Sequence, residues 1–325
     1  MLSMHQRLRD LLTHQGLPTQ PGQDLLRFLE PVRPLEYSVH SHRVGVGAMI
    51  NGDGPEHCER LLRVMAHFGH PDLGRATLWM NRFEGRRVFL KVDFGAKGPE
   101  EISLYFRRRP PVETVLQWLN QDGVDRQSLL GIAHTAQFLG CPKVHFVAQS
   151  WTLESPGSVR PAEASAARKP KVGPQVTATR RDGFARSGAG GSKAAVLDES
   201  APEARQQHSE YKLYFAQPPG LSGWQRTLAW LPTRAVPEAT IARLQELELQ
   251  DAGRFASIRL GPDGLKDGAK LDVSEPSAEL VALLSATDGP GQGRILSLMQ
   301  SGPIDYLGLD VTAGAQGVGL YSTRR

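Results

Sequence analysis

The sequence predicts an α+β fold in which five helix–helix–strand–strand repeats form a ten-stranded antiparallel β-barrel ringed by helices and broken by one disordered insertion. Three observations predict it. Five times a pair of strand-like segments follows a helical stretch, and the sequence ends on the fifth pair. In most of these segments one parity is aliphatic and the other carries Lys, Arg, Tyr, Asp or Ser. Side chains alternate faces along a strand, so each hairpin has one apolar and one polar, tyrosine-bearing face. Ten connected strands are enough for a closed sheet, which removes its own edges.

Leu8, Leu11 and Leu12, then Leu25, Leu26, Phe28 and Leu29, predict two short N-terminal helices. The first strand region runs from Leu35 to Ile50. Cys58, Leu61, Leu62, Met65 and Phe68 recur at helical spacing, with Pro55 suited to the first turn. The second pair is Val88–Phe94 and Ile102–Arg107. Two helices follow, carried by Val115, Leu116, Trp118 and Leu119, then by Leu129, Leu130, Ile132, Ala133, Ala136 and Phe138, with Gly140 as a stop. Val144–Ala148 and Tyr211–Phe215 make the third pair. Trp224, Leu228, Trp230 and Leu231, then Ile241, Leu244 and Leu247, lead to the fourth, Phe255–Leu260 and Lys270–Val273. Leu280, Leu283 and Leu284, then Ile295, Leu296 and Met299, lead to the fifth, Tyr306–Val311 and Val318–Tyr321.

Residues 157–209 are rich in Pro, Ala, Ser, Gly and Arg, have little to bury, and are predicted to be disordered. The strands flanking them favour an insertion within a single domain spanning 1–325; a linker between two domains is the alternative. The segment holds 9 Lys/Arg and 5 Asp/Glu, which accounts for the whole formal charge of +4. The remainder is formally neutral, which argues against nucleic acid as a partner.

Hydrophobic residues make up 40% of the chain, ample for a core, yet no apolar run reaches the ~20 residues of a membrane span. Arg, Asp, His and Gln interrupt Met1–Pro18, unlike a secretory leader. Cys58 and Cys141 lie far apart and form no disulfide framework, so reduced thiols in a cytoplasmic protein are expected.

With the aliphatic parity facing outward, the inward set is Phe89, Lys91 and Asp93; Ser103, Tyr105 and Arg107; His145, Gln149 and Trp151; Lys212 and Tyr214; Ser257 and Arg259; Lys270 and Asp272; Tyr306 and Asp310; and Tyr321. A barrel of this size is wide enough for a ligand. Ammonium and guanidinium groups suit phosphate oxygens, and aromatic faces stabilise a developing carbocation. A solvated sheet face is the plainer account of any one of these residues; their recurrence across hairpins is what favours a site. Asp93, Asp272 and Asp310 would repel a diphosphate unless each pairs with Lys or Arg or coordinates a cation such as Mg²⁺.

Leu35-Glu36-Tyr37-Ser38-Val39 through Val44-Gly45-Val46-Gly47 and into the helix at Glu56 resembles the first repeat of the ABBA-type aromatic prenyltransferases. Val144-His145-Phe146-Val147 with Lys212-Leu213-Tyr214-Phe215 resembles their third repeat, and Leu307-Gly308-Leu309-Asp310-Val311 with Leu320-Tyr321 their last. The resemblance spans the chain outside the insertion. It implies an αββα-type barrel in which an allylic diphosphate meets an aromatic acceptor, either a small molecule or a peptide side chain. By resemblance, Lys91, Arg107, Lys212, Arg259 and Lys270 hold the diphosphate, and Tyr105, Tyr214, Tyr306 and Tyr321 shield the cation. Glu36 orients or deprotonates the acceptor. The resemblance further implies a monomeric enzyme of secondary metabolism that requires no cofactor, with Mg²⁺ left open. Three departures are visible: a single Lys-x-Tyr pair, several inward acids, and a split third hairpin. A non-catalytic barrel that docks through its basic insertion is therefore the alternative function.

Other motifs carry less. His40 with His42, and His67 with His70, have metal-like spacing but no supporting ligands. Gly289-Pro290-Gly291-Gln292-Gly293 follows no strand and lacks the phosphate-loop Lys-Ser/Thr, so it reads as a helix–helix turn. Cys58, on an amphipathic helix, reads as core.

Overall fold

The computed structural model describes residues 4–29, 35–40, 43–50, 55–70, 72–83, 88–153, 209–247, 249, 252–285, 304–312 and 315–324. The chain divides into one compact unit, Met1–Ser155 with Gln207–Arg325, and a second, Pro156–Gln206. The described residues belong to the first unit. Most of the expected insertion, the Gly289–Gly293 turn, the helix at Ile295–Met299 and His42 lie outside them. Ser209, expected within the insertion, is instead the first residue of a strand.

Helices α1 (Met4–His14) and α2 (Gln20–Leu29) precede strands β1 (Leu35–Val39) and β2 (Val44–Ile50). Helices α3 (Pro55–His67) and α4 (Leu73–Arg82) precede β3 (Val88–Gly95) and β4 (Gly98–Phe106). Helices α5 (Val112–Gln121) and α6 (Arg126–Leu139) precede β5 (Phe146–Thr152) and β6 (Ser209–Gln217). The fourth repeat has α7 (Leu221–Trp230), α8 (Glu238–Glu246), β7 (Arg254–Gly261), the two-residue β8 (Gly264–Leu265) and β9 (Ala269–Ser274). In the fifth, α9 (Ala278–Ser285) precedes β10 (Tyr306–Thr312) and β11 (Ala315–Arg324).

Every described strand pairing is antiparallel, and neighbours in the sheet are neighbours in the chain except where β7 pairs β9 past the short β8 and at the closure, where β1 pairs β11. β6 pairs β7, so ten of the described strands form a closed barrel, with β8 a spur on β7. Each repeat enters its first strand at one end of the barrel and makes its hairpin at the other.

The outward parity explains the helical coat. Val88, Leu90, Val92 and Phe94 on β3, Ile102, Leu104 and Phe106 on β4, and Leu213 and Phe215 on β6 are fully buried. Each such side chain contributes about 1.5–3 kcal/mol. Local signals set the helix ends: the side chains of Asp72 and Asp125 accept from the amides of Arg75 (2.8 Å) and Ser128 (2.9 Å), caps worth about 1 kcal/mol each. Gly140 ends α6 in the left-handed region, at φ 68°. Asp122, just past α5, accepts from Trp79 Nε1 (2.7 Å), Tyr211 Oη (2.5 Å) and Arg82 (2.9 Å). One carboxylate thereby fastens α4 to the barrel wall at β6.

Candidate functional site

Strand register determines which side chains meet inside. Toward the end where the helices feed the strands, Phe89 stands opposite Tyr105, Phe146 opposite Tyr214, and Tyr306 opposite Tyr321. Toward the hairpin end, Asp93 stands opposite Glu101 and Lys212 opposite Arg259. The lumen is layered, aromatic at one end and ionic at the other.

The aromatic layer encloses a cavity of about 290 Å³, with Phe89, Tyr105, Phe146, Tyr214, Phe255 and Tyr306 in its wall. This is near the small end of the ~300–1,000 Å³ usual for ligand pockets. Successive rings touch: Phe89–Tyr105 at 5.6 Å between centroids, Tyr105–Tyr214 at 6.0 Å, Phe146–Tyr214 at 5.9 Å and Phe146–Phe255 at 5.8 Å. Tyr321 lies deeper, beneath Lys91 and Lys270, whose Nζ atoms stand 5.5 and 4.7 Å from its ring centroid. Burial pushes the phenols of Tyr105, Tyr214 and Tyr321 well above their ordinary range, and nearby tyrosine and acidic groups push the same way. They stay neutral at any working pH and present uncharged aromatic faces and hydroxyls.

Glu36, Lys91, Arg107, Lys270 and Asp272 are the charged residues of the cavity. Burial pushes the Glu36 carboxyl up to about 7, against the pull of Lys91 and Lys270. A carboxyl poised near neutrality can accept a proton there. Arg107 forms no ion pair among the described residues and lies over the Phe146 ring, 5.3 Å from its centroid.

The other lumenal cations are paired. Lys91 meets Asp93 at 2.9 Å, Lys270 meets Asp272 at 2.5 Å, Lys212 meets Glu101 at 2.6 Å and Arg259 meets Asp310 at 2.7 Å. Glu101 is the hub of the ionic layer: it also accepts from Arg43 (3.1 Å) and Ser103 (2.9 Å), and Ser103 is linked to Ser150 (2.7 Å). Burial disfavours its charge, but Lys212 and Arg43 outweigh that and hold the carboxyl well below its usual range. Asp93, Asp272 and Asp310 thus each bind a cationic side chain. Among the described residues no three His, Cys, Asp or Glu side chains converge to hold a metal ion.

The structure brings Lys91, Arg107, Lys270, Glu36 and all four predicted tyrosines to one cavity. Lys212 and Arg259 face the same lumen but sit in the ionic layer, outside the cavity lining. The phase expected for β5 is reversed. Gln149 and Trp151 pair with Leu104 and Ile102 on the outward face, and Trp151 packs on His70, 4.2 Å between centroids. The inward residues are Phe146, Ala148 and Ser150, and His145 packs against Phe255 (4.8 Å) just before the strand. The alternation rule failed because the outer face of β5 is itself partly polar. Glu101, Met49, Phe146 and Phe255 were missed, although Glu101 shares the parity of Ser103 and Tyr105. A wider cleft of about 560 Å³ lies outside the barrel, lined by His134, Phe138, Trp230 and Arg234 among others. It lacks the convergent carboxylates, ammonium groups and phenols that make the lumen the candidate site.

No described helix is long and apolar enough to cross a membrane. No protein-family model matches the chain, and no curated protein matches its sequence. Solved structures do. NotF prenyltransferase is 11% identical, with 98% of this chain and 92% of that one covered at a TM-score of 0.56. AnaPT from Neosartorya fischeri is 13% identical, covering 97% and 91% at 0.55. NotF in complex with brevianamide F and DMSPP is 10% identical, covering 98% and 94% at 0.55. At these identities the likeness establishes the fold: the chain is an ABBA-type PT barrel.

Proposed function

We propose that the lumen transfers a prenyl group from an allylic diphosphate to an aromatic acceptor, a small molecule or a peptide side chain. One observation carries the reading: a single ring-walled cavity is lined by two lysines that lie over Tyr321, an exposed arginine over Phe146 and a carboxyl with a pKa of about 7. In this reaction the C1–O bond of the donor breaks, the diphosphate leaves, and an acceptor ring atom forms the new bond to C1. Lys91, Lys270 and Arg107 would meet the diphosphate charge. Tyr105, Tyr214, Tyr306 and Tyr321 would face the developing cation and keep water from it. Glu36, ionised above about pH 7, would orient the acceptor and take the proton it loses. The fold likeness to NotF, which has been captured with brevianamide F and DMSPP, supports this choice of substrate classes.

The test is incubation with dimethylallyl and geranyl diphosphates against a panel of phenols, indoles and Trp- or Tyr-containing peptides, with products read by mass. Prenylated product that disappears in Tyr214→Ala is expected. Absence of turnover together with absence of diphosphate binding would overturn the reading.

The pairing of four lumenal cations with acids favours one competitor, a non-catalytic barrel that docks partners through residues 157–209. A partner captured by the full chain, lost on deleting that segment and kept in Tyr214→Ala, would support it.

A further inference from the structure

Two lysines beside the cavity are built alike. Lys91-Val92-Asp93 on β3 and Lys270-Leu271-Asp272 on β9 each put a lysine and an aspartate on one strand face, two residues apart. In each, Nζ reaches the carboxylate, at 2.9 Å and 2.5 Å. Each pair also sits over a glycine of the adjoining strand: Gly45 stands opposite Asp93, and Gly308 opposite Asp272. A Cβ on Gly45 would come within 2.3 Å of Lys91 Cε and 2.4 Å of Asp93 Oδ1. One on Gly308 would meet Lys270 Cε at 2.7 Å and Asp272 Oδ1 at 2.8 Å. Both ammonium groups lie over the one Tyr321 ring. A merely solvated face would not need the same pair seated on cleared backbone twice.

The pairs oppose any anion that enters. An incoming phosphate meets a carboxylate already in contact with each lysine and must compete with it for the ammonium charge. A displaced carboxylate left in a buried site is costly as an anion and takes a proton instead. A single phosphate reaches one lysine, replaces one such partner by another and gains little. Two linked phosphates can engage both lysines at once, the second contact being intramolecular.

Resting on the diphosphate reading above, we propose that Asp93 and Asp272 are internal counter-ions that occupy Lys91 and Lys270 in the empty lumen and make it select a diphosphate over a monophosphate. On binding, a proton from solvent adds to an Asp272 carboxylate oxygen as Lys270 passes to the ligand; no covalent bond to the protein forms. Asp272 is the acceptor because of what surrounds it. Besides Lys270 it faces Asp310 and Tyr306 of β10, Tyr321 of β11, Tyr214 of β6, Glu36 of β1 and Lys91 of β3. Burial outweighs Lys270 and already keeps its carboxyl above the usual aspartate range. Asp93 faces Glu101 and Tyr105 of β4 and Tyr321 of β11, and has a second cation, Arg43, beside it.

Calorimetric titration of the full chain at about pH 8, where ligand phosphates are ionised, tests this. Dimethylallyl diphosphate and dimethylallyl monophosphate are each titrated in two buffers of different ionisation enthalpy, which reads affinity and proton uptake together. In a Glu36→Gln background, which removes the other carboxyl of the cavity that titrates near neutrality, the protein should take up close to one proton per diphosphate, and Asp272→Asn in that background none. Asp272→Asn should bind the monophosphate about tenfold more tightly, the equivalent of one pK unit, so the preference for diphosphate shrinks. Asp93→Asn should strengthen monophosphate binding and leave the proton count unchanged. Diphosphate binding in the Glu36→Gln background without proton uptake, or unaltered selectivity in both Asp variants, overturns the internal counter-ions and leaves prenyl transfer standing. No diphosphate binding at any pH overturns both.

Discussion

Replacing Glu36 by Gln tests the electrostatics of the cavity without any substrate. The folded carboxyl titrates at about 7 against an ordinary value of 4.5, because burial outweighs the attraction of Lys91 and Lys270. At about 1.4 kcal/mol per pK unit, that difference corresponds to about 3 kcal/mol. It is an upper figure, because Glu36 keeps partial exposure to the cavity. A raised pKa fixes the sign: the folded state prefers the protonated carboxyl. The associated stability is complete below 4.5, falls as pH rises from there, and is gone above about 7. Gln mimics the protonated form and has nothing to lose. Urea denaturation of the two proteins should give equal stabilities near pH 4 and a Gln variant more stable by up to about 3 kcal/mol near pH 8. Equal stabilities at both pH values would mean that the carboxyl is solvated, and the assignment of Glu36 as a poised proton acceptor would fail with it. The same variant should lose the neutral limb of the pH–rate profile for prenyl transfer.

Glu101→Gln strands Lys212 and Arg43 in the ionic layer; the loss should be about 3–5 kcal/mol by denaturant titration, partly recovered in Glu101→Gln/Lys212→Met. Because the Glu101 carboxyl is held below its usual range, its stabilisation is present above about pH 4.5 and lost as pH falls, so the acid limb of unfolding should flatten in Glu101→Gln. Arg107→Ala should raise the KM for diphosphate about tenfold, the worth of one charge-assisted contact, with little change in melting temperature because Arg107 is exposed. Tyr321→Phe removes the hydroxyl that accepts from Lys270 at 2.8 Å but keeps the ring; it should cost about 1 kcal/mol and retain transfer, whereas Tyr321→Ala should abolish it.

The barrel was legible because its signal is redundant. Each repeat states the same helix-then-hairpin pattern, and on β3 and β4 the aliphatic parity is unbroken from Val88 to Phe94 and from Ile102 to Phe106. The inward face was legible where the outward one was plainly apolar. It failed on β5, where Gln149 and Trp151 face the helices, because alternation reports polarity and not direction. Depth along the strand was not legible at all. Lys212 and Tyr214 lie two residues apart on one face, yet only Tyr214 lines the cavity. The difference depends on the pairing of β6 with β7 and on Glu101, placed by register from a strand more than a hundred residues earlier.

Pairing in the lumen also changes what salt should do. A buried ammonium in contact with a carboxylate is little screened by solvent ions, so diphosphate affinity in the barrel should depend strongly on pH and weakly on ionic strength. Residues 157–209 carry the chain's whole formal surplus of +4, and docking of an acidic partner through them would be screened within a Debye length of about 8 Å at physiological salt. The two candidate functions therefore separate on one axis. Binding measured between about 50 and 500 mM salt should hold nearly constant for dimethylallyl diphosphate and fall steeply for any partner held by the basic segment. Affinity for dimethylallyl diphosphate that collapses with salt would place the anion on solvated charge outside the paired lumen, and the lysines over Tyr321 would lose their role.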